Sequence, residues 1–308
     1  MTSRGAFKLD FHVSMTAQNR ALLTGHRFRE ALESVLGAQD EVFAVFSGIY
    51  TFAHRFGLPV HEAADLLIQI MLDVAGKTRT LVLPAFSFSL PTTGMFDVVR
   101  TPSDIGLLPN RALLHPALRR STKPMNSYLV AGPRAEELLS LRCTTSWGPD
   151  GVMAWLNDVG ARTCILGVPW SEACSLYHLA EEMERVPYRY FKRFSGELFR
   201  DGKREGTCEE VMFARSMIVP PIWAHDRIDR ALQHEGVVVE SAAAEFSLSA
   251  ASTPDIIRVT RRMLKNDPYA YVANPEAVRS WSETGLADEE QSLPPDSRVL
   301  PQDILPYL

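Results

Sequence analysis

The chain has 308 residues, of which 46% are hydrophobic and 22% charged, and its formal net charge is −5 at pH 7. This length and composition predict an ordinary globular protein with a large core, arranged as one large domain or two small ones. The acidic balance gives no support to nucleic-acid binding, which usually needs a basic face.

Residues 1–10 contain no apolar signal core, and no run approaches the ~20 apolar residues that a membrane span needs. The four cysteines show no C-x-x-C pair and no zinc-like spacing. We therefore expect buried, reduced thiols in a cytoplasmic protein, without a metal site.

The first third of the chain predicts a helix over 28–36, a strand over 42–46, a helix over 61–73 and a strand over 80–84. The second helix is predicted from apolar residues at helical spacing, and Ala75-Gly-Lys-Thr78 ends it before the strand over 80–84. This strand, helix and strand unit is typical of a parallel sheet.

Further along, residues 86–109 are rich in Pro, Thr, Ser and Gly, and a connection of that length is often functional. The pattern then predicts strands over 127–131 and 163–168, and helices over 135–141, 152–159 and 258–266. Residues 188–222 carry the turn Arg200-Asp-Gly-Lys203, which indicates a hairpin.

We therefore predict a single α/β domain over 1–308, with a mixed, largely parallel sheet flanked by helices. A small β-hairpin is added at 188–222, in the C-terminal third. Residues 267–308 read as a loosely packed, Pro-rich tail.

The segment 163–182 is the most informative in the chain, because an apolar strand runs through a Gly and Pro turn into a helix with His178. Glu181 and Glu182 follow three and four residues later, close enough on a helix to orient the imidazole. A histidine paired with a carboxylate can take a proton. The same spacing also fits an interior histidine beside two solvent-facing glutamates.

The stretch Cys174-Ser-Leu-Tyr-His-Leu-Ala-Glu181 resembles the Thr-x-x-His-x-Ala-Glu segment of the aminoglycoside 3-N-acetyltransferase family. Similar blocks come in the order of that family: Val42-Phe-Ala-Val-Phe-Ser-Gly48, Thr80-Leu-Val-Leu-Pro-Ala-Phe-Ser87, Phe96-Asp97, Thr101-Pro-Ser-Asp-Ile-Gly106 and Arg120-Ser121. Together the blocks cover about the middle half of the chain.

The resemblance implies acyl transfer from acetyl-CoA to an amine, with His178 as general base and Glu181, rather than Glu182, as its partner. It implies coenzyme contacts at Ser47, Gly48, Ser87, Arg120 and Ser121. For these residues a plain strand-end turn, a loop lining and a solvated basic pair remain open alternatives. We expect contacts to the amine substrate at Asp97, Ser175, Glu182 and Lys123.

Two positions depart from the family. Lys123 stands where the family has a histidine in Arg-Ser-x-His-Pro, and Gly151 stands where it has a serine. A lysine accepts no hydrogen bond unless its pKa falls by several units, and an ammonium near the acceptor pocket opposes a polycationic antibiotic. Alternatively, Lys123 points to solvent or pairs with coenzyme phosphate.

Three functions follow from the sequence. The first is a CoA-dependent N-acyltransferase that moves an acetyl or other acyl group directly to a primary amine of a small substrate, such as an amino sugar. The second is an aminoglycoside 3-N-acetyltransferase that confers antibiotic resistance, and the third is an inactive family member that binds CoA or a partner. We expect a small-molecule amine as partner, no nucleic acid and no membrane, with a homodimer as the candidate assembly.

Overall fold

The computed structural model describes residues 17–304, so the expectation for residues 1–10 and the last four residues of the predicted tail lie outside it. Within the described residues, ten strands form a seven-stranded sheet and a separate three-stranded sheet. Among the described helices, none combines the length and apolar character that a membrane span needs.

The strands are β1 (Val42–Ser47), β2 (Thr80–Pro84), β3 (Met95–Asp97), β4 (Arg119–Arg120), β5 (Tyr128–Ala131), β6 (Arg162–Leu166), β7 (Arg189–Arg200), β8 (Lys203–Arg215), β9 (Val239–Glu240) and β10 (Leu248–Ser252). The large sheet has the order β4-β5-β2-β1-β6-β10-β9, and the small sheet has the order β3-β7-β8.

The helices of the first half are α1 (Ala17–Val35), α2 (Tyr50–Phe56), α3 (Val60–Ala75), α4 (Leu90–Thr93), α5 (Leu107–Ala112), α6 (Ala135–Leu139) and α7 (Val152–Asp158). Those of the second half are α8 (Trp170–Ala173), α9 (Tyr177–Met183), α10 (Asp226–His234), α11 (Thr253–Asn266), α12 (Pro275–Thr284), α13 (Leu286–Gln291) and α14 (Pro301–Ile304). Short 3₁₀ turns occupy Ala244–Phe246 and Pro295–Ser297.

Strand β1 shows why the large sheet lies between two hydrophobic cores. Its side chains alternate, so that Ala44 and Phe46 join one core while Phe43 and Val45 join the other. Both faces are therefore buried, which explains why the strand sequence is apolar throughout.

Within the large sheet, parallel pairing is confined to the centre, where β1 pairs with β2 and with β6. The outer pairs of this sheet are antiparallel. In the small sheet, β3 pairs parallel with β7. Because β1, β2 and β6 run the same way, their carboxyl ends lie at one edge, and the chain after β6 leads there into α9 and His178. Ligands of α/β sheets commonly bind at this edge.

The predicted α/β class is confirmed, including the mixed sheet flanked by helices and the hairpin in the C-terminal third. Strands β7 and β8 pair along their whole length around the turn at Asp201 and Gly202. The hairpin is more than a small surface addition. Its inner part packs into the core through Phe191, Val211 and Phe213.

Two segments differ from their expectations. Residues 86–109 hold α4, β3 and the start of α5 rather than one loop. Residues after Asn266 form α12 and α13, and they bury Tyr271, Val272 and Val278 in the core, so this part is more closely packed than its Pro-rich composition predicts. The single-domain assignment stays a prediction.

Candidate active site

His178 lies in the first turn of α9, with its side chain 20% exposed. Its Nδ1 is 2.6 Å from Oε2 of Glu181, which lies one helical turn further on and is fully buried. The i, i+3 spacing thus delivers the contact that the sequence predicts. Because a carboxylate oxygen only accepts, we assign the proton to Nδ1, which leaves the lone pair on Nε2.

Glu181 has two further partners, and both follow α9 in the chain. Arg189 Nη2 lies 2.8 Å from Oε2, and the Tyr188 hydroxyl donates to Oε1 at 2.7 Å. Burial alone would raise the pKa of Glu181, but the Arg189 charge and the hydrogen bonds from His178 and Tyr188 lower it to about 2. The carboxylate is therefore ionised at neutral pH.

The imidazole of His178 is enclosed by aromatic rings. Trp147 stacks on it with ring centroids 4.5 Å apart, and Tyr177 meets it edge-on at 4.7 Å. Burial lowers the pKa of His178, the Glu181 carboxylate partly reverses this, and the Arg189 charge lowers it again. A neutral, oriented imidazole is the form that can accept a proton.

A cleft of about 630 Å³ opens beside His178 and Ser175. Its other lining residues come from six parts of the chain: Phe86, Phe88, Pro91, Met125, Asn126, Trp147, Arg189, Tyr190, Lys192, Phe194, Met212, Ala214, Arg215, Met217 and Trp223. The cleft lies where the segments after β2 and β6 face the inner half of the hairpin.

Glu182 points to another side of α9, although it follows Glu181 directly. Its Oε1 accepts from Thr145 Oγ1 at 2.5 Å, and burial raises its pKa to about 7. A Cβ on Gly148 would lie 2.2 Å from Thr145 Oγ1 and 3.0 Å from Glu182 Oε1, so this loop packs directly on the carboxyl group. The structure thus places Glu182 under the loop that carries Trp147 and outside the cleft lining.

Lys123, Arg120 and Ser121 also lie outside the cleft. Lys123 Nζ donates to the Cys143 carbonyl at 2.5 Å, in a separate pocket of about 180 Å³ that Ser121 shares. Arg120 donates to the carbonyls of Thr101 and Ala85 and to Ser127 Oγ. Burial lowers the pKa of Arg120 to about 10.

The hydroxyls of Ser121 and Ser87 are engaged within the fold. Ser121 Oγ accepts from the Tyr128 N–H at 2.9 Å, and Ser87 Oγ donates to the Pro124 carbonyl at 2.8 Å. Ser87 is buried, although its neighbours Phe86 and Phe88 line the cleft.

Ser47 ends β1, and Gly48 follows it, at the edge of the sheet on which the cleft lies. The Gly48 N–H donates to the Leu166 carbonyl, and a Cβ there would meet Val168 Cγ1 at 2.3 Å. Asp97 lies at the hairpin turn, where its carboxylate accepts from the N–H groups of Val99, Arg100, Asp201 and Gly202. Burial opposes but does not overcome these four bonds, which lower the pKa of Asp97.

Sequence reasoning missed Arg189, Tyr188 and Trp147, which complete the surroundings of His178 and Glu181. Trp147 lies 31 residues before His178 in the printed sequence, and its Nε1 donates to Asn126 Oδ1 at 3.3 Å. The only feature of the sequence that could have indicated these contacts is at residues 188 and 189, because the predicted hairpin begins there, soon after the His178 helix. Tertiary packing brings Trp147, Tyr188 and Arg189 together around His178 and Glu181.

A sequence model of the family described as aminoglycoside 3-N-acetyltransferase matches residues 52–265, which is more than half of the chain. The chain belongs to this family. The resemblance noted on the His178 segment and the ordered blocks is thereby confirmed.

Aminoglycoside N(3)-acetyltransferase VII of Streptomyces paromomycinus is 28% identical to the chain over 185 residues. That match covers 51% of this chain and 63% of the relative, so the chain spans less than two thirds of the curated protein that it matches.

Two solved structures show that the fold is that of the acetyltransferase family. The apoenzyme of aminoglycoside acetyltransferase AAC(3)-IVa superposes with a TM-score of 0.64 at 22% identity, over 85% of this chain and 96% of that one. AAC-IIIb in a binary complex with CoASH has a TM-score of 0.63 at 19% identity, over 82% of this chain and 97% of that one.

Proposed function

We propose that the protein is a CoA-dependent N-acyltransferase that moves an acetyl or other acyl group to a primary amine of a small substrate, with His178 as general base. The observation that carries the proposal is the contact between His178, which lines the cleft, and Glu181, whose carboxylate is buried and ionised. Family membership and the CoASH complex of a structural relative support the choice of cosubstrate.

The chemistry requires a base, because an amine is mostly protonated at neutral pH and must lose a proton before or during its attack. His178 Nε2 takes a proton from the amine as its nitrogen bonds to the thioester carbonyl carbon, and the imidazolium returns that proton to the CoA thiolate as the C–S bond breaks. Glu181 then stabilises the imidazolium through the Nδ1–H bond, while the stacked Trp147 ring fixes the plane of the imidazole. Direct transfer within a ternary complex needs no covalent nucleophile.

The cleft suits the thioester end of acyl-CoA, which supplies the acyl group when bound. Phe86, Phe88 and Met125 offer an apolar wall to the acyl chain and the pantetheine arm, within a cavity of about 630 Å³. Ser47 and Gly48, at the sheet edge, remain proposed coenzyme contacts. We do not extend the proposal to Ser87 and Arg120, because both side chains are committed to bonds inside the fold.

The test is a His178→Gln variant in an assay that measures thiol release from acetyl-CoA in the presence of an amine. We expect kcat to fall by about 10²–10⁴-fold, the usual contribution of a general base. His54→Gln is the matched control, because His54 is exposed on α2, away from the cleft. Wild-type turnover in His178→Gln would remove the assignment.

Two alternatives are decided by the same assay. Acetylation of a deoxystreptamine aminoglycoside is favoured by the family and by the named relative, and it predicts rapid turnover of that acceptor together with reduced antibiotic susceptibility of cells that express the protein. The absence of turnover with every amine, alongside calorimetric binding of acetyl-CoA, would instead indicate a family member that binds the coenzyme without catalysis.

A further inference from the structure

The charges that border the cleft are all positive. Arg189, Lys192 and Arg215 line it, and among the described residues that line it there is no aspartate or glutamate. The remaining walls are largely aromatic rings and methionines, and Met217 extends this apolar surface to an exposed rim.

Two carboxylates near the cleft, besides Glu181, are committed to donors inside the fold. Glu210 accepts from the Met125 N–H, Asn126 Nδ2 and Ser146 Oγ. Glu289 accepts from Ser216 Oγ, the Met217 N–H, the Tyr190 hydroxyl and Trp281 Nε1. These groups hold the walls of the cleft and present no free negative charge to a ligand.

Two of the lining cations have no such commitment. Within residues 17–304, neither Lys192 nor Arg215 forms a salt bridge with a carboxylate, and Lys192 Nζ lies 5.1 Å from the centre of the Phe194 ring. Arg215 pairs across the hairpin with Arg189, which itself contacts His178. Lys192 lies three residues further along β7, or roughly 10 Å at the rise of a strand.

A polycationic aminoglycoside is poorly matched to this lining, because each ammonium that leaves water needs a carboxylate or several acceptors in return. Cations near the cleft add repulsion. An acceptor with one amine, an apolar body and a negative group has the opposite fit, since its body packs on the aromatic walls and its charge meets Lys192 or Arg215.

We propose that the acceptor is a monoamine with an aromatic or aliphatic body that carries a carboxylate, rather than a polycationic amino sugar. This inference rests on the proposed N-acyltransferase function and narrows its substrate class. The carboxylate reaches Lys192 or Arg215 while the amine lies at His178 Nε2.

The experiment compares L-phenylalanine, phenethylamine and a deoxystreptamine aminoglycoside as acceptors in the thiol-release assay. The first two differ only by the carboxylate. We expect kcat/KM to be about tenfold higher for phenylalanine than for phenethylamine, and lowest for the aminoglycoside. Calorimetric binding of the three amines to the CoA-loaded protein gives the same ranking without relying on turnover.

Substitutions of the lining cations test which of them recognises the carboxylate of the acceptor. Lys192→Met and Arg215→Met should reduce the preference for phenylalanine over phenethylamine, and Lys192→Glu should raise turnover of the aminoglycoside. Lys203→Met, at the exposed hairpin tip, is the matched control and should leave the ranking unchanged.

Two results would overturn the inference while the proposed function stands. One is fastest turnover of the aminoglycoside by the wild-type protein. The other is a loss of CoA affinity in Lys192→Met and Arg215→Met with an unchanged KM for phenylalanine, which would assign the cations to the coenzyme. Absence of both acetyl-CoA binding and thiol release would instead remove the proposed function itself.

Discussion

The two sides of helix α9 hold adjacent buried carboxyl groups whose pKa values shift in opposite directions. Glu181 meets Arg189, Tyr188 and His178, and its pKa falls to about 2. Glu182 accepts from Thr145, its Oε2 has no hydrogen-bond partner among the described residues, and its pKa rises to about 7.

The two residues are buried to a similar degree, so burial alone does not decide whether a carboxyl group is ionised. The difference lies in the partners. The Arg189 guanidinium in direct contact and two further donors offset the cost of removing the Glu181 charge from water, whereas the Thr145 hydroxyl, the Trp147 N–H and the Arg185 charge do not offset it for Glu182. The ionised group faces the candidate base, and the weakly satisfied group supports a loop. On this helix, the carboxyl group with the lowered pKa is thus the one that contacts the proposed base.

The largest expected effect is that of Glu181→Gln. The variant leaves the Arg189 charge buried without its counter-ion, so the free energy of unfolding should fall by about 3 kcal/mol. His178 also loses the group that stabilises its charged form, so kcat should fall by at least about 10²-fold. Denaturant unfolding and thiol release measure the two effects on one preparation.

The pH dependence of Glu181 supplies a second readout of the same change. A carboxyl group whose folded pKa is below its unfolded value stabilises the fold above the unfolded pKa, and this stability is lost as pH falls through the folded pKa. Wild-type protein should therefore lose stability between about pH 4.5 and 2, and the Gln variant should lose less of it. Equal losses in both proteins would contradict the assignment of an ionised Glu181.

Glu182→Gln should have the opposite pH signature. A folded pKa above the unfolded value means that the native state holds the proton more tightly, so wild-type stability falls as pH rises from about 4.5 to 7. The shift corresponds to a loss of about 3 kcal/mol. The Gln variant lacks this loss, so it should be more stable than wild type at pH 8 and close to it at pH 4.

Denaturant unfolding at a series of pH values from 4 to 8 tests this prediction. Glu276→Gln, on the exposed face of α12, is the matched control, because it makes the same chemical change at an exposed position. The comparison between Glu181 and Glu182 breaks down if Glu182→Gln follows the same pH curve as wild type.

The sequence predicted one side of this comparison and not the other. The contact between His178 and Glu181 is local, because any α-helix brings i and i+3 together, and the family motif selected Glu181. Arg189 and Tyr188 reach Glu181 only because the hairpin folds back against α9. Glu182 was assigned to the substrate, but the roughly 100° turn per residue of a helix carries it to another side.

The fold shows the same division between local and tertiary information. The β1, α3 and β2 unit was predicted nearly to its ends because apolar runs and helical spacing mark it. Strand β10 was missed, because Leu248-Ser-Ala-Ala-Ser252 is rich in residues of low strand propensity. It forms a strand by pairing antiparallel with β6, between the two cores.

Lys123, which is partly buried, provides the smallest test of the rule that its partners decide what a charge does to stability. Its ammonium donates to the Cys143 carbonyl rather than to a carboxylate, and it lies outside the cleft. Lys123→Met removes one charge-assisted hydrogen bond without leaving an opposite charge unpaired, so the free energy of unfolding should fall by only about 1 kcal/mol.

The same variant also tests whether the choice of acceptor depends on where a cation lies or only on the number of cations near the cleft. Because Lys123 is outside the cleft lining, Lys123→Met should leave the acceptor ranking unchanged, whereas Lys192→Met should alter it. Unfolding by denaturant and the acceptor panel measure both effects. A change of acceptor ranking in Lys123→Met would mean that its charge acts across the loop at 123–126. The proposed acceptor site would then have to include Lys123, the position at which the family carries a histidine.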